Sequence, residues 1–281
     1  MILIADSGST KTHWTLLESD NKVSSYTTIG LNPHLTDRET FFSTLKNNFQ
    51  IIKERVTQIY FYGSGCVSEI QANFVKDILK IFFNYATNIQ VQSDILGAAK
   101  ATLGDDEGYV AILGTGSVCA HYNGAEICKV SPSLGYLIGD DGSGAALGKE
   151  LLKAYFYGLL PQELTESFST EYDLRRETIL ENLYHKERPN VYLASFAPFL
   201  KDHIHDESIA TIVFDSFNAF FKHSMNKIIE EKKLRITFVG SIAFYFNDIL
   251  QEVAKSNKLL IHDIQKDPII SLSAYHQKRL Y

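Results

Sequence analysis

Two short stretches of the chain combine glycine with hydroxyl side chains in a way suited to phosphate: Asp6-Ser7-Gly8-Ser9-Thr10-Lys11-Thr12 and, further along, Gly114-Thr115-Gly116-Ser117. Glycine allows positive φ and lets backbone amides come close to an anion, while Ser and Thr hydroxyls add donors for phosphate oxygens. A single Gly-Ser turn between strands is most often just a hairpin, but two copies of one design call for a shared purpose. Asp6 ends an apolar run and opens the first loop. A carboxylate there can hold Mg²⁺, directly or through water, against the phosphates of a nucleotide; as a plain turn residue it would instead bond its own amides. Lys11 lies further round the same turn, where it can meet phosphate or solvent. Asp94 follows the run Ile89-Gln90-Val91-Gln92 and opens a helix. It is either a helix cap or a base able to take the proton of a hydroxyl that attacks a phosphoryl group.

Each glycine loop has to be carried by a pair of strands. Ile2-Leu3-Ile4-Ala5 and His13-Trp14-Thr15-Leu16-Leu17 flank the first, and Tyr109-Val110-Ala111-Ile112-Leu113 and Val118-Cys119-Ala120-His121-Tyr122 flank the second. Strand follows loop in both, so neither is a P-loop, which runs into a helix, and no G-x-G-x-x-G fingerprint is present. After the first hairpin the pattern predicts a strand over 22–28, turned back at Asp20-Asn21, then a helix through Asn48 with Thr36 and Glu39 spaced as a capping box. A strand over 57–62, a helix over 68–84, the strand 89–92 and a helix from Asp94 through Leu103 complete the order β-β-β-α-β-α-β-α. The second half repeats the three strands, with 126–130 as the third. A glycine-dense loop over 134–144 follows, then a helix over 145–157 and a largely helical stretch over 161–231 broken at Pro189 and Pro198. Next come a strand over 235–239 ending in Gly240-Ser241, a helix to Ser256 and a last strand over 259–261. The closing helix is expected to have Pro268 at its first position.

These elements, with the two glycine hairpins, resemble the actin-like, sugar-kinase and heat-shock-ATPase superfamily. The motifs Asp6 to Thr12, Gly30 to Asn32, Ser93-Asp94-Ile95-Leu96-Gly97-Ala98-Ala99, Gly114 to Ser117, Gly139 to Ser143, Val239-Gly240-Ser241 and Asp267-Pro268-Ile269 resemble, in this order, the N-acetylglucosamine kinase-like and BadF-type ATPase family. The resemblance implies an α/β fold of two ribonuclease H-like domains with a cleft between them. Residues 1–105, joined by 268–281, would form one domain and residues 106–267, with a helical insertion, the other. It implies an ATP-dependent kinase of an amino sugar such as N-acetylglucosamine or glucosamine, with Asp94 as general base and Asp6 at Mg²⁺. Gly8, Ser9, Thr10, Lys11, Thr12, Gly114, Thr115, Gly116 and Ser117 would face the nucleotide phosphates, and Gly240 and Ser241 adenine and ribose. Asn32, Asp94, Thr115, Gly135 and Asp140 would face the sugar. Leu134 stands where family members carry an aromatic, and Gly240-Ser241-Ile242-Ala243 keeps part of the adenosine-loop pattern.

Other classes fit less well. At 281 residues the chain is long enough for two domains with their own cores, and 45% hydrophobic and 21% charged residues fit a folded globular protein. A net charge of −6 without a basic stripe, since Lys232-Lys233 and Lys186-Glu187-Arg188 are short, argues against nucleic acid. No apolar segment approaches the roughly 18 residues of a membrane span and no leader pattern is seen, so the expected setting is the cytoplasm, without membrane partners. The family resemblance admits a homodimer. Three scattered cysteines, Cys66, Cys119 and Cys128, suit neither a disulfide framework nor a zinc site. They also weigh against one alternative of the same fold, an ATPase activator of a dehydratase with a shared iron-sulfur cluster. A second alternative is a sugar or cell-wall-fragment sensor that binds without turnover. His34 falls in the Gly30-to-His34 loop, while His13 and His121, on strands just after the hairpins, read as satisfied structural residues.

Overall fold

The structure is a computed structural model and describes residues 1–18, 22–231 and 233–279. The expected turn at Asp20-Asn21 and Lys232 of the basic pair lie outside the described residues. Two five-stranded sheets carry the fold. The first is built from β1 (Ile2–Ser7), β2 (Lys11–Leu17), β3 (Val23–Ile29), β4 (Gln58–Gly63) and β5 (Asn88–Ser93), in the order β3-β2-β1-β4-β5. Strand β2 is antiparallel to both β1 and β3, whereas β4 is parallel to β1 and β5 to β4. The second contains β6 (Gly108–Leu113), β7 (Ser117–Tyr122), β8 (Ile127–Val130), β9 (Arg235–Val239) and β10 (Asp263–Gln265), in the order β10-β9-β6-β7-β8. Reversed, that is the order of the first sheet, so both halves have the ribonuclease H-like arrangement expected from the repeated hairpins.

Burial explains which strands are central. Ile2 to Ala5 on β1 and Gly108 to Ala111 on β6 are buried without a break, as strands covered on both faces must be. Strand β3 alternates between exposed and half-buried residues and lies at an edge. On one face of the first sheet Leu3, Ala5, Trp14, Leu16 and Phe61 pack with Phe41, Leu45, Phe49, Val75 and Leu79 from the helices Arg38–Phe49 and Glu69–Phe82. Trp14 meets Phe49 edge-on at 5.0 Å between ring centroids, and its indole N–H donates to Thr28 Oγ1. The chain divides into two compact units, one of Met1–Val110, Tyr122–Cys128 and Asp267–Tyr281, the other of Ala111–His121 and Lys129–Lys266.

Several local expectations are corrected. The helix Arg38–Phe49 is capped by Asp37, whose carboxylate accepts from the Thr40 amide at 2.7 Å, while the Thr36 hydroxyl donates to Gly30 O. A short helix, Gly135–Ile138, forms inside the glycine-dense loop. Pro189 and Pro198 do not break helices but open them, within the first two positions of Pro189–Ala194 and Ala197–Asp202, where the missing N–H has no partner to lose. The helix after β9 is two helices, Ser241–Tyr245 and Asn247–Ser256. The last strand is β10, not 259–261: the Leu259 amide is still tied to Ala254 O, and pairing toward β9 begins at His262, which donates to Ile236 O. Pro268 is the N-cap of the closing helix Ile269–Gln277, one position before its start.

Candidate active site

In the first unit, the antiparallel pairing of β1 and β2 ends at Ser7 opposite Thr12, and the Gly8 amide closes the turn on Lys11 O at 3.0 Å. Ser7 Oγ lies 2.8 Å from Thr12 Oγ1, and Thr12 Oγ1 also donates to Ile29 O. Thr12 is therefore turned into the sheet and braces the hairpin from behind, unlike Ser9 and Thr10 at its tip. Gly30 is held against that tip: a Cβ on it would lie 2.5 Å from Gly8 O, and its amide donates to Thr10 O. This close approach brings the 30–32 loop onto the hairpin. Asn32 is buried, its Oδ1 accepting from the His34 amide at 2.9 Å and its Nδ2 lying 3.5 Å from Ser64 Oγ.

Asp6 and Asp94 stand at the carboxyl ends of β1 and β5, the edge at which ligands of such sheets bind. The N-cap position of the helix Asp94–Thr102 belongs to Ser93, so Asp94 is not the cap; its Oδ1 accepts from the Ile95 amide at 2.9 Å. Burial, with the negative charges of Asp94 and Asp267 adding to it, pushes the Asp6 carboxyl up to about 7 against the pull of Lys11. Burial likewise pushes Asp94 up to about 6, opposed by the Ile95 amide. Asp267 Oδ1 lies 3.7 Å from Lys11 Nζ and 3.4 Å from His13 Nδ1. Asp267 did not stand out by residue type, and His13 read as a satisfied structural residue. The only signal for Asp267 was its place in the Asp267-Pro268-Ile269 match.

The raised Asp6 carboxyl has a consequence for stability. Folded Asp6 holds its proton up to about pH 7, whereas an unfolded chain releases it near pH 4, so folding takes up a proton between these values and stability falls as pH rises through them. Asp6→Asn, neutral at every pH, is expected to melt at nearly the wild-type temperature at pH 4 and above it at pH 8. A melting difference that does not change with pH would contradict this.

In the second unit, the Gly114 amide bonds Gly116 O, and the first amides of the helix Gly144–Phe156 reach back to Gly114 O and Thr115 O at 2.8 and 3.2 Å. Asp140 lies on the same hairpin: its Oδ1 accepts from the Ser117 amide at 3.3 Å, and a Cβ on Gly116 would come within 3.0 Å of its Oδ2. Asp140 has φ +58°, a left-handed conformation that a non-glycine residue holds only at a cost of about 1 kcal/mol or more. Burial raises its carboxyl above the usual range. The Ser117 hydroxyl donates to Asp141 O, and the Asp141 carboxylate meets His223 Nδ1 at 2.9 Å. Gly240 (φ +118°) has no room for a side chain, since a Cβ would lie 2.3 Å from Leu113 O, so Gly240-Ser241 lies beside the start of the hairpin. Gly135 has φ +72° and open space around it. His223 had no signal in the sequence; it falls on a π-turn, Phe221–Met225, that continues the helix Glu207–Phe220.

Among the described residues no group of three or more His, Cys, Asp or Glu side chains is arranged to hold a metal ion by itself. The acidic groups around Asp6 are hard oxygen donors in a poorly solvated place, which fits Mg²⁺ carried mainly by phosphate oxygens and water with one protein carboxylate. Cluster ligation by thiolate fits poorly, since burial pushes both Cys66 and Cys119 up to about 12. Among the described residues no helix is long and apolar enough to cross a membrane.

Neither protein-family models nor curated proteins give a match to the chain. Among solved structures it is similar to the "Putative N-acetylglucosamine Kinase" of Porphyromonas gingivalis, at 34% identity over 100% of both chains with a TM-score of 0.95. A second structure of the same description, from Chromobacterium violaceum, shares 16% identity over 98% of each chain with a TM-score of 0.77. A ROK family glucokinase of Streptomyces griseus, in complex with glucose and AMPPNP, shares 12% identity over 97% of this chain and 98% of its own, with a TM-score of 0.59. The last two show the fold alone.

Proposed function

We propose that this chain, which belongs to the N-acetylglucosamine kinase-like family of the actin-like sugar-kinase superfamily, transfers the terminal phosphoryl group of ATP to a hydroxyl of an amino sugar. The observation that carries the reading is Asp94, a poorly solvated carboxylate at the end of β5 whose proton affinity is raised to about 6. A base with that affinity is ionised at neutral pH yet basic enough to take the hydroxyl proton as the oxygen attacks. The bond from Ile95 N–H holds the Asp94 carboxylate at the start of its helix. Asp6 is assigned to Mg²⁺, which when bound neutralises phosphate charge. Gly8, Ser9, Thr10 and Lys11, with Gly114, Thr115, Gly116 and Ser117, present amides, hydroxyls and one cation to phosphates. Thr12 supports them from within the sheet. Asn32, through its amide nitrogen, together with Thr115, Gly135 and Asp140, is assigned to the sugar, and Gly240 and Ser241 to the nucleoside.

A pH limb follows. Asp94 serves as base only when ionised, so at saturating Mg-ATP, which would keep Asp6 ionised, kcat/KM for the sugar should fall about tenfold per unit as pH drops below about 6 and level off above it. A rate that stays flat down to pH 4.5 would contradict the assignment. The reading as a whole is tested by coupled ADP release with saturating Mg-ATP over a panel of N-acetylglucosamine, glucosamine, N-acetylmannosamine and N-acetylgalactosamine. Release dependent on one of these sugars is expected. Tight binding of a sugar without ADP release would turn the reading to a receptor.

A further inference from the structure

The buried side chains behind Asp94 form a polar cluster that the phosphoryl-transfer reading leaves unused. Tyr62, on β4, is in register with Asp6 on the neighbouring parallel strand and is almost wholly buried. The helix that starts at Asp94 rests on its ring: a Cβ on Gly97 would lie 2.8 Å from Tyr62 Cβ and Cγ. One turn on, Lys100 Nζ donates to Tyr62 Oη at 3.4 Å and lies 5.5 Å from the ring centre. On the other side Tyr62 Oη is 2.9 Å from Nε2 of His276, on the closing helix, and the imidazole stacks on Tyr60 at 4.0 Å. Burial, with Lys100 and Arg279 adding to it, lowers His276 to about 4, and burial raises the Tyr62 phenol, so at neutral pH both are uncharged. The Lys100 ammonium donates to the Tyr62 oxygen, and in the tautomer that carries the His276 proton on Nδ1 the Tyr62 O–H donates to Nε2.

We propose that Tyr62 and His276 are positioning residues for Asp94, setting through Gly97 and Lys100 the height and rotation of the helix that carries it. Packing alone would be served as well by Phe and Leu, and a buried hydroxyl-imidazole pair is tolerated only when both partners are satisfied. What the polar pair adds is direction. A ring whose hydroxyl is tied both to His276 on the closing helix and to Lys100 on the helix of Asp94 resists sliding along that helix, and Gly97, lacking a side chain, lets the helix backbone follow the ring without slack.

The inference rests on Asp94 as base, but part of its test does not. The Ile95 amide, in the first turn of the helix, has its bond to the Asp94 carboxylate, so its hydrogen exchange reports whether that carboxylate is held. Tyr62→Phe and His276→Leu each remove the hydrogen bond while keeping apolar bulk, and His276→Gln keeps a group able to bond Tyr62. In the two disrupting variants Ile95 should exchange about tenfold faster, and kcat should fall about tenfold with KM for sugar and ATP within about twofold of wild type. His276→Gln should restore most of both. In an Asp94→Asn background, Tyr62→Phe should lower the residual rate no further. If Tyr62→Phe does not fold, His276→Leu carries the same comparison. Unchanged Ile95 exchange in a folded disrupting variant overturns the proposal, whether or not the protein turns over any sugar. Faster exchange with unchanged kcat in an active enzyme overturns it as well. Absence of turnover in the wild type would count against the kinase reading alone, leaving the exchange arm to decide this one.

Discussion

Asp94→Asn should lower phosphoryl transfer by about 10² to 10⁴-fold, the usual loss when a positioned general base is removed, while sugar and nucleotide still bind. The amide has nearly the shape of the carboxylate and its oxygen can still accept from the Ile95 amide, so the helix start is preserved. What is lost is the ability to take a proton. Steady-state rates together with calorimetric binding of sugar and of a non-hydrolysable nucleotide separate these effects. A variant turning over within about threefold of wild type would reduce Asp94 to a helix-start carboxylate whose main task is its bond to Ile95.

Asp6→Ala should be at least as damaging to transfer, lowering it by roughly 10³-fold or more, and chelation of Mg²⁺ should mimic it. Sugar affinity should stay near normal in both cases, because the sugar is assigned to Asn32, Thr115, Gly135 and Asp140, and Asp94 is untouched. Instability does not account for the loss: above pH 7 the ionised, half-buried Asp6 lies near two other carboxylates, so its removal relieves repulsion. This is the familiar exchange of stability for function at a site. Turnover that survives both the substitution and chelation would remove Asp6 from the metal and the metal from the reaction.

Strands and hairpins were legible because their signals are local. Uninterrupted apolar runs marked β1 and β6, and the glycine-hydroxyl pattern marked both turns. The starts of the helices at Arg38, Glu69, Asp94 and Gly144 were read to within a residue but not at the atom, since Thr36, Asp37, Ser93 and Asp94 all have the chemistry of a cap and only the fold decides which backbone is extended. The missed elements depend on distant partners. Strand β10 forms where β9 is available to pair, just after His262, not where the apolar run Leu259-Leu260-Ile261 lies. In the site, Asp6 and Asp94 stood out because each ends a strand. Asp267 did not, because nothing near it in sequence announces that the closing helix would bring it to Lys11 and His13. The same holds for His223, which meets Asp141 from a segment that reads simply as helix.

ADP release alone would not separate a kinase from an ATPase, so the fate of the phosphate is the deciding measurement. Phosphorus NMR of the purified protein with Mg-ATP and the amino sugar that best stimulates ADP release should show a phosphate ester coupled to a sugar proton, growing in step with ADP. ADP and inorganic phosphate appearing in equal amounts, with no sugar ester formed from any of the amino sugars, would contradict the account.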